Sequence, residues 1–235
     1  MDIQTIQSNL GLTFEDKTLL QRALTHRSYL NENPDYPLDD NERLEFLGDA
    51  TLDFITAEYL YHRFPEMDEG QLTSLRSALV RTEKLAEFSE KIELGHYLYL
   101  GKGEEESGGR ERLPILCGAF EALMGALYLD QGIAAVRDFF VPLIKPELEE
   151  ILETRSDKDA KSLFQEMAQS WRKITPIYHG LAEEGPDHAK TFTVGAFLGE
   201  ICYGQGQGPN KQQAAQAAAQ AALSKLQEEI RNENI

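Results

Sequence analysis

Along the first two-thirds of the chain, apolar residues recur three and four positions apart. That is the period of α-helices with one buried face. The spacing predicts helices over about 16–29, 41–64, 71–80, 82–92, 114–130 and 133–153. Pro65 ends the second, and Asp39, Asp40 or Asn41 is available as its cap. NENPDYPLDD and the glycine-rich GKGEEESGGRER read as loops, and residues 154–159 as a short polar linker. After the linker the period changes. A helix over 160–173 precedes three strand-like runs, about 176–184, 190–197 and 200–204. A GQGQGPN loop then leads into an alanine-rich helix over about 210–228. The predicted architecture is an all-α domain over 1–153, then a small α+β domain, α-β-β-β-α, over 160–228.

Charge sharpens this division. The chain has 235 residues and a formal net charge of −17. Residues 1–157 carry a balance of −16, and residues 158–227 a balance of +1. An acidic first domain is a poor direct partner for phosphates. Its acids either only keep the protein soluble or gather a divalent cation that receives the phosphate. Cys117 and Cys202 lie in different predicted domains, which suggests no disulfide framework and suits a reducing cytoplasm. No signal peptide is evident at the start, and no apolar stretch reads as long enough to span a bilayer.

The most informative chemistry lies early in the helix over 41–64. At about 100° per residue, Glu42, Glu45 and Asp49 share an arc of about 60°. Leu44, Leu47, Thr51, Phe54 and Ile55 form the expected core stripe on the other side. Like charges stacked this way cost tenths of a kcal/mol per pair. Either the acids form an ordinary solvated face, or a hard cation such as Mg²⁺ holds them together. Phe46 stands beside the acids and away from the core stripe. It packs either on a partner, such as an identical subunit, or under a loop of its own chain. Glu121 lies among small residues, Gly118, Ala122 and Gly125. Such a face lets another helix come close, which would bring Glu121 to Glu45 and Asp49; otherwise Glu121 is a surface acid.

Glu42 to Asp49 (ERLEFLGD) resembles the signature of the ribonuclease III family, whole and ungapped. ALTHRSY (23–29), HRFPEMDEG (62–70), SLRSALVR (74–81), SGGR (107–110) and FEALMGALYLD (120–130) match the family in the same order. AKSLFQEMAQ, EEGPDH and GQGQGPNKQQAAQAAAQAAL resemble its double-stranded RNA-binding domain. The resemblance implies an endonuclease that cuts duplex RNA and leaves staggered ends with 5′-phosphate and 3′-hydroxyl groups. It implies Glu45, Asp49 and Glu121 as metal ligands, Asp49 and Glu121 as catalytic acids, and Glu42 as an accessory acid. The implied cofactor is Mg²⁺, with Mn²⁺ as a substitute; no organic cofactor and no membrane are expected. It also implies a homodimer with Phe46 at the interface, and processing of ribosomal and messenger precursors. By the same resemblance, Gln165, Glu166 and His188 reach minor grooves and Lys211 meets phosphate.

Two positions depart from the family. Gly118 stands where an Asp ligand is usual, and Gln212 follows Lys211 where a second Lys is common. At Gly118 two outcomes are open: water replaces the ligand, or the site is weakened toward a protein that binds duplexes without cutting. Arg76 and Arg81 face either RNA or local acids. His26 and His62 are expected to be structural, and His96 to lie on the surface.

Overall fold

The computed structural model describes residues 2–154, 159–186 and 190–233 and divides into two compact units, 1–157 and 158–235. The expected linker, 154–159, falls mostly outside the described residues. The first unit comprises α1 (Ile3–Leu10), α2 (Lys17–Ala23), α3 (Arg27–Glu32), α4 (Glu42–Arg63), α5 (Glu69–Leu79), α6 (Thr82–Lys91), α7 (Lys102–Glu106), α8 (Leu113–Gln131) and α9 (Ile133–Thr154). Single 3-10 turns lie at Leu94–Tyr97 and Gly109–Glu111.

Caps and tertiary bonds set the breaks. The helix expected over 16–29 is two helices. Between them Thr25 pairs with Tyr99 in an isolated bridge, and His26 caps α3 by accepting from the Ser28 N–H at 3.2 Å. Asn41 does not cap α4 with its side chain; its Nδ2 donates to the Ala23 carbonyl, and Asp40 accepts from the Glu42 N–H at 3.2 Å. Asp68 and Gln71 form a reciprocal capping box on α5. Helix α1 carried no prediction, and the expected loop over 101–112 contains α7 and a 3-10 turn.

The core of this unit centres on α8. Phe88, Phe120 and Phe140 are fully buried, with ring centroids 5.9 to 6.1 Å apart. By length and composition α8 is apolar enough to cross a membrane, which corrects the expectation that no run is. Most of it is packed inside the unit, as a core helix requires. Phe54, expected in the core stripe, is 56% exposed. It lies at the edge of the buried arc, beyond Thr51 and Ile55.

The second unit is α10 (Ala160–Arg172), β1 (Ile177–Glu184), β2 (Thr191–Leu198), β3 (Ile201–Gly208) and α11 (Lys211–Glu233). The strands form an antiparallel sheet in the order β1-β2-β3. The GQGQG segment, expected as a loop, is the second half of β3. Gly204, Gly206 and Gly208 alternate toward α11, and a β-carbon on Gly206 would lie 2.1 Å from the Ala218 nitrogen. Alanines on α11 and glycines on β3 let helix and strand approach within backbone contact.

Candidate functional site

The site begins where α4 crosses α8. A β-carbon on Gly48 would lie 1.7 Å from the Glu121 carbonyl oxygen. One on Gly125 would lie 2.2 Å from the Leu44 carbonyl oxygen. The two helices therefore touch backbone to backbone, and only glycine fits at either position. Glu45 and Asp49 flank Gly48 on α4, and Glu121 stands one turn before Gly125 on α8. The crossing brings the three acids into one electrostatic neighbourhood.

Among the described residues, no Lys, Arg or His forms an ion pair with any of the three. Burial pushes the Glu121 carboxyl up to about 7, with the Asp49 and Glu45 charges adding to the rise. Burial also raises Glu45, followed by repulsion from Glu42, Asp49 and Asp40. Cys117, one turn before Glu121, donates its Sγ–H to Glu121 Oε1 at 3.5 Å. Burial and the neighbouring Glu121 charge push that thiol up to about 12, so it is a neutral donor and no thiolate ligand. The i, i+4 spacing of Cys117 and Glu121 was the available sign of this contact.

Gly118 has a spatial consequence. A β-carbon there would lie 2.7 Å from Glu45 Oε2 and 3.0 Å from its carboxyl carbon. The Glu45 carboxylate thus occupies the space that any side chain at 118 would enter. Glu42 is exposed and accepts from Arg27 Nη1 at 3.3 Å, and its charge still reaches Glu45.

Carboxylate oxygens are the donors that hard divalent cations take. Glu45, Asp49 and Glu121 supply that chemistry at a place with uncompensated negative charge. Among the described residues, no three acid, cysteine or histidine side chains stand in a ready-made metal cage. Holding an ion there would require these side chains to turn toward one another.

The other expected residues are distributed as follows. Phe46 is 79% exposed. With Ala50, Phe54 and Tyr61 it makes a second apolar stripe on α4, facing solvent. A groove of about 370 Å³ beside it is lined by Leu47, Ala50, Thr51, Phe54, Tyr128 and Ile133. Arg76 pairs with Asp53 at 3.8 Å and Arg81 with Glu83 at 4.0 Å, so both meet local acids. His62 is exposed at the end of α4, against its structural expectation, and His96 is exposed as expected. In the second unit Gln165 and Glu166 are exposed on α10, opposite buried Phe164 and Ala168. Lys211 opens α11, and His188 lies outside the described residues.

A helical domain that gathers acids at a helix crossing is followed by an α-β-β-β-α domain, the arrangement expected of a two-domain nuclease of structured RNA. Residues 16–148 match the family model Ribonuclease-III-like, and residues 160–226 match the Double-stranded RNA binding motif. Ribonuclease 3 from Roseiflexus sp. (strain RS-1) is 47% identical over 227 residues, 96% of each chain. Ribonuclease 3 from Enterococcus faecalis is 43% identical over 94% of this chain and 96% of its own. The nuclease domain of the Campylobacter jejuni enzyme superposes with a TM-score of 0.56 at 39% identity, over 62% of this chain and 97% of that one. The chain belongs to the ribonuclease III family. It is an endoribonuclease of double-stranded RNA, and the reading as a protein that binds without cutting is not favoured. Nucleases of this family are generally metal-dependent.

Proposed function

We propose that Glu45, Asp49 and Glu121 hold Mg²⁺, with Mn²⁺ able to replace it, and that Asp49 and Glu121 are the catalytic acids. The observation that supports this reading is their convergence at the Gly48–Gly125 contact, without a neutralising cation. A bound divalent ion would supply charge neutralisation at the scissile phosphate and acidify an attacking water. This chain's residues do the positioning. The Cys117 thiol orients Glu121 through Oε1. Glu45 lies across Gly118, in the space that a side chain at that position would enter. Without an ion the Glu121 carboxyl is pushed up to about 7, and a bound cation would favour its charged, ligating form. Glu42 acts from outside, held by Arg27. The products are staggered duplexes with 5′-phosphate and 3′-hydroxyl ends.

The domains assigned to this work are 1–153 for catalysis and 160–228 for RNA binding, joined by 154–159. Gln165, Glu166 and His188 meet minor grooves and Lys211 meets phosphate. The physiological substrates are duplex segments of ribosomal and messenger precursors, and the two free thiols suit a cytoplasmic setting.

The working form is a homodimer. Phe46 and the apolar stripe behind it need a cover, and a two-fold axis would provide one from an identical surface. The Campylobacter jejuni relative is described for flexibility in a region involved in dimer formation of its nuclease domain. In sedimentation, Phe46→Ala is expected to shift the protein toward monomer; an unchanged dimer would remove Phe46 from the interface.

Cleavage of a long RNA duplex tests the site. Wild type with Mg²⁺ should give short staggered duplexes, and chelation should stop it. Glu121→Gln should lose roughly 10²-fold or more, the scale of losing one group that stabilises transition-state charge. A variant that cuts at the wild-type rate would remove Glu121 from the chemistry.

A further inference from the structure

Three charged side chains from separate segments of the second unit meet at one end of the sheet. Glu183 stands near the end of β1, opposite Phe192 of β2. Lys211, the first residue of α11, places Nζ 2.8 Å from Glu183 Oε1. Lys190, just before β2, places Nζ 3.6 Å from Glu183 Oε2. One carboxylate thus faces two ammonium groups, one on each oxygen. Lys211 lies also 5.6 Å from the centre of the Phe192 ring. These positive neighbours, Lys211 first, hold the Glu183 carboxyl below its usual range.

All three side chains remain open to solvent, Lys211 at 70%. Phosphate can reach them. Residues 158–227 hold only seven Lys and Arg, so two lysines are a large share of the charge available to RNA. Duplex binding depends on such charge, because each neutralised phosphate releases condensed counterions. A phosphate approaching Lys211 meets an acid already seated there. It must displace that acid or share the lysine with it.

We propose that Glu183 is an affinity-setting residue for duplex RNA, competing with phosphate for Lys211 and Lys190. The inference rests on the reading that Lys211 meets phosphate. Exposed pairs of this kind are weak, so the competition tunes binding severalfold and does not abolish it. Salt screens the pair as well, so the effect should be largest at low ionic strength.

The test is binding of a labelled RNA duplex by the full chain in chelator, across a salt series. The variants are Glu183→Gln, Lys211→Gln, the double variant and Glu200→Gln. Glu200 is exposed at the β2–β3 turn and controls for the loss of one negative charge anywhere on the unit. Glu183→Gln should bind about 2- to 5-fold tighter at low salt, with a salt slope steeper by about 1. Lys211→Gln should weaken binding, and the double variant should lose most of the gain. Glu200→Gln should bind within about twofold of wild type. If Glu183→Gln binds as wild type or more weakly while Lys211→Gln still loses affinity, the competition is overturned and the pair only orders the lysine. If Lys211→Gln has no effect, the reading of Lys211 as a phosphate contact fails first. An equal gain from Glu200→Gln would reduce the effect to net charge and overturn the specific role of Glu183.

Discussion

Glu147 and Glu121 are both withdrawn from water within the helical unit, yet their surroundings push them in opposite directions. Glu147, on α9, is 9% exposed and accepts from Lys84 and Lys91 at 2.6 Å each. Those hydrogen bonds hold its carboxyl below the usual range. Glu121, on α8, has no such cation, and burial with two neighbouring acids pushes it up to about 7. The first arrangement is complete as it stands. The second is electrostatically incomplete, and a bound divalent cation would supply its missing charge. A carboxylate held at a cost to the fold is therefore better evidence of function than one that is well paired.

The largest separation comes from removing each charge in turn. Glu147→Gln leaves Lys84, whose side chain is 12% exposed, with Glu87 alone. Breaking a buried pair from one side costs about 3–5 kcal/mol, and the remaining Glu87 partner places this case near 3. That should lower the melting temperature by about 10 °C. Single-turnover cleavage well below that temperature should stay near the wild-type rate. Glu121→Gln should do the reverse, with lost cleavage and an unchanged or slightly higher melting point. Loss of both properties in both variants would erase the distinction.

The acid-cluster side of this contrast was legible beforehand, and the Glu147 side was not. Helical spacing alone put Glu42, Glu45 and Asp49 on one arc, because a helix's geometry is local. Small residues around Glu121 predicted a close helix approach, and Gly125 makes that contact with α4. What spacing could not supply was long-range. The break at Thr25 depends on Tyr99, a residue 74 positions away in the chain. The seat of Glu45 over Gly118 and the meeting of Glu183 with Lys211 are tertiary as well. The strand in GQGQG was misread because glycine favours loops, although its alternation had the strand period of two.

A second, intermediate effect concerns pH and metal together. Glu121 has a folded pKa of about 7 against an ordinary value of 4.5. Between these values the folded state binds more protons than the unfolded state, so metal-free stability should fall as pH rises from about 4.5 to about 7. Glu147 runs the other way: its contribution is present above its ordinary value and is lost as pH falls through its lowered folded value. Melting curves of Glu121→Gln should therefore decline less toward pH 7 than those of wild type, with the raised Glu45 keeping a part. Adding Mg²⁺ at pH 7 should raise the wild-type melting point by a few degrees, since ligand at ten times its Kd contributes about 1.4 kcal/mol. The Glu121→Gln protein should gain less. Equal gains in both would place the ion elsewhere.

The smallest effect, and the finest probe of the uncompensated site, is at Gly118. A methyl group there would stand 2.7 Å from Glu45 Oε2, and the carboxylate is the free end of a flexible chain. Glu45 can turn away at little cost, so Gly118→Ala should leave the melting point within a degree or two. It should nevertheless weaken divalent-ion binding severalfold, because one of three donors has moved. Gly118→Asp adds a carboxylate but evicts the same Glu45 oxygen. Its Mg²⁺ and Mn²⁺ titrations, read by calorimetry on the resting protein and by cleavage rate, should differ from wild type in midpoint. If all three proteins give identical titrations, the position of Glu45 over Gly118 has no bearing on the ion. The chain would then manage with Asp49 and Glu121, and the absent acid at 118 would have cost it nothing.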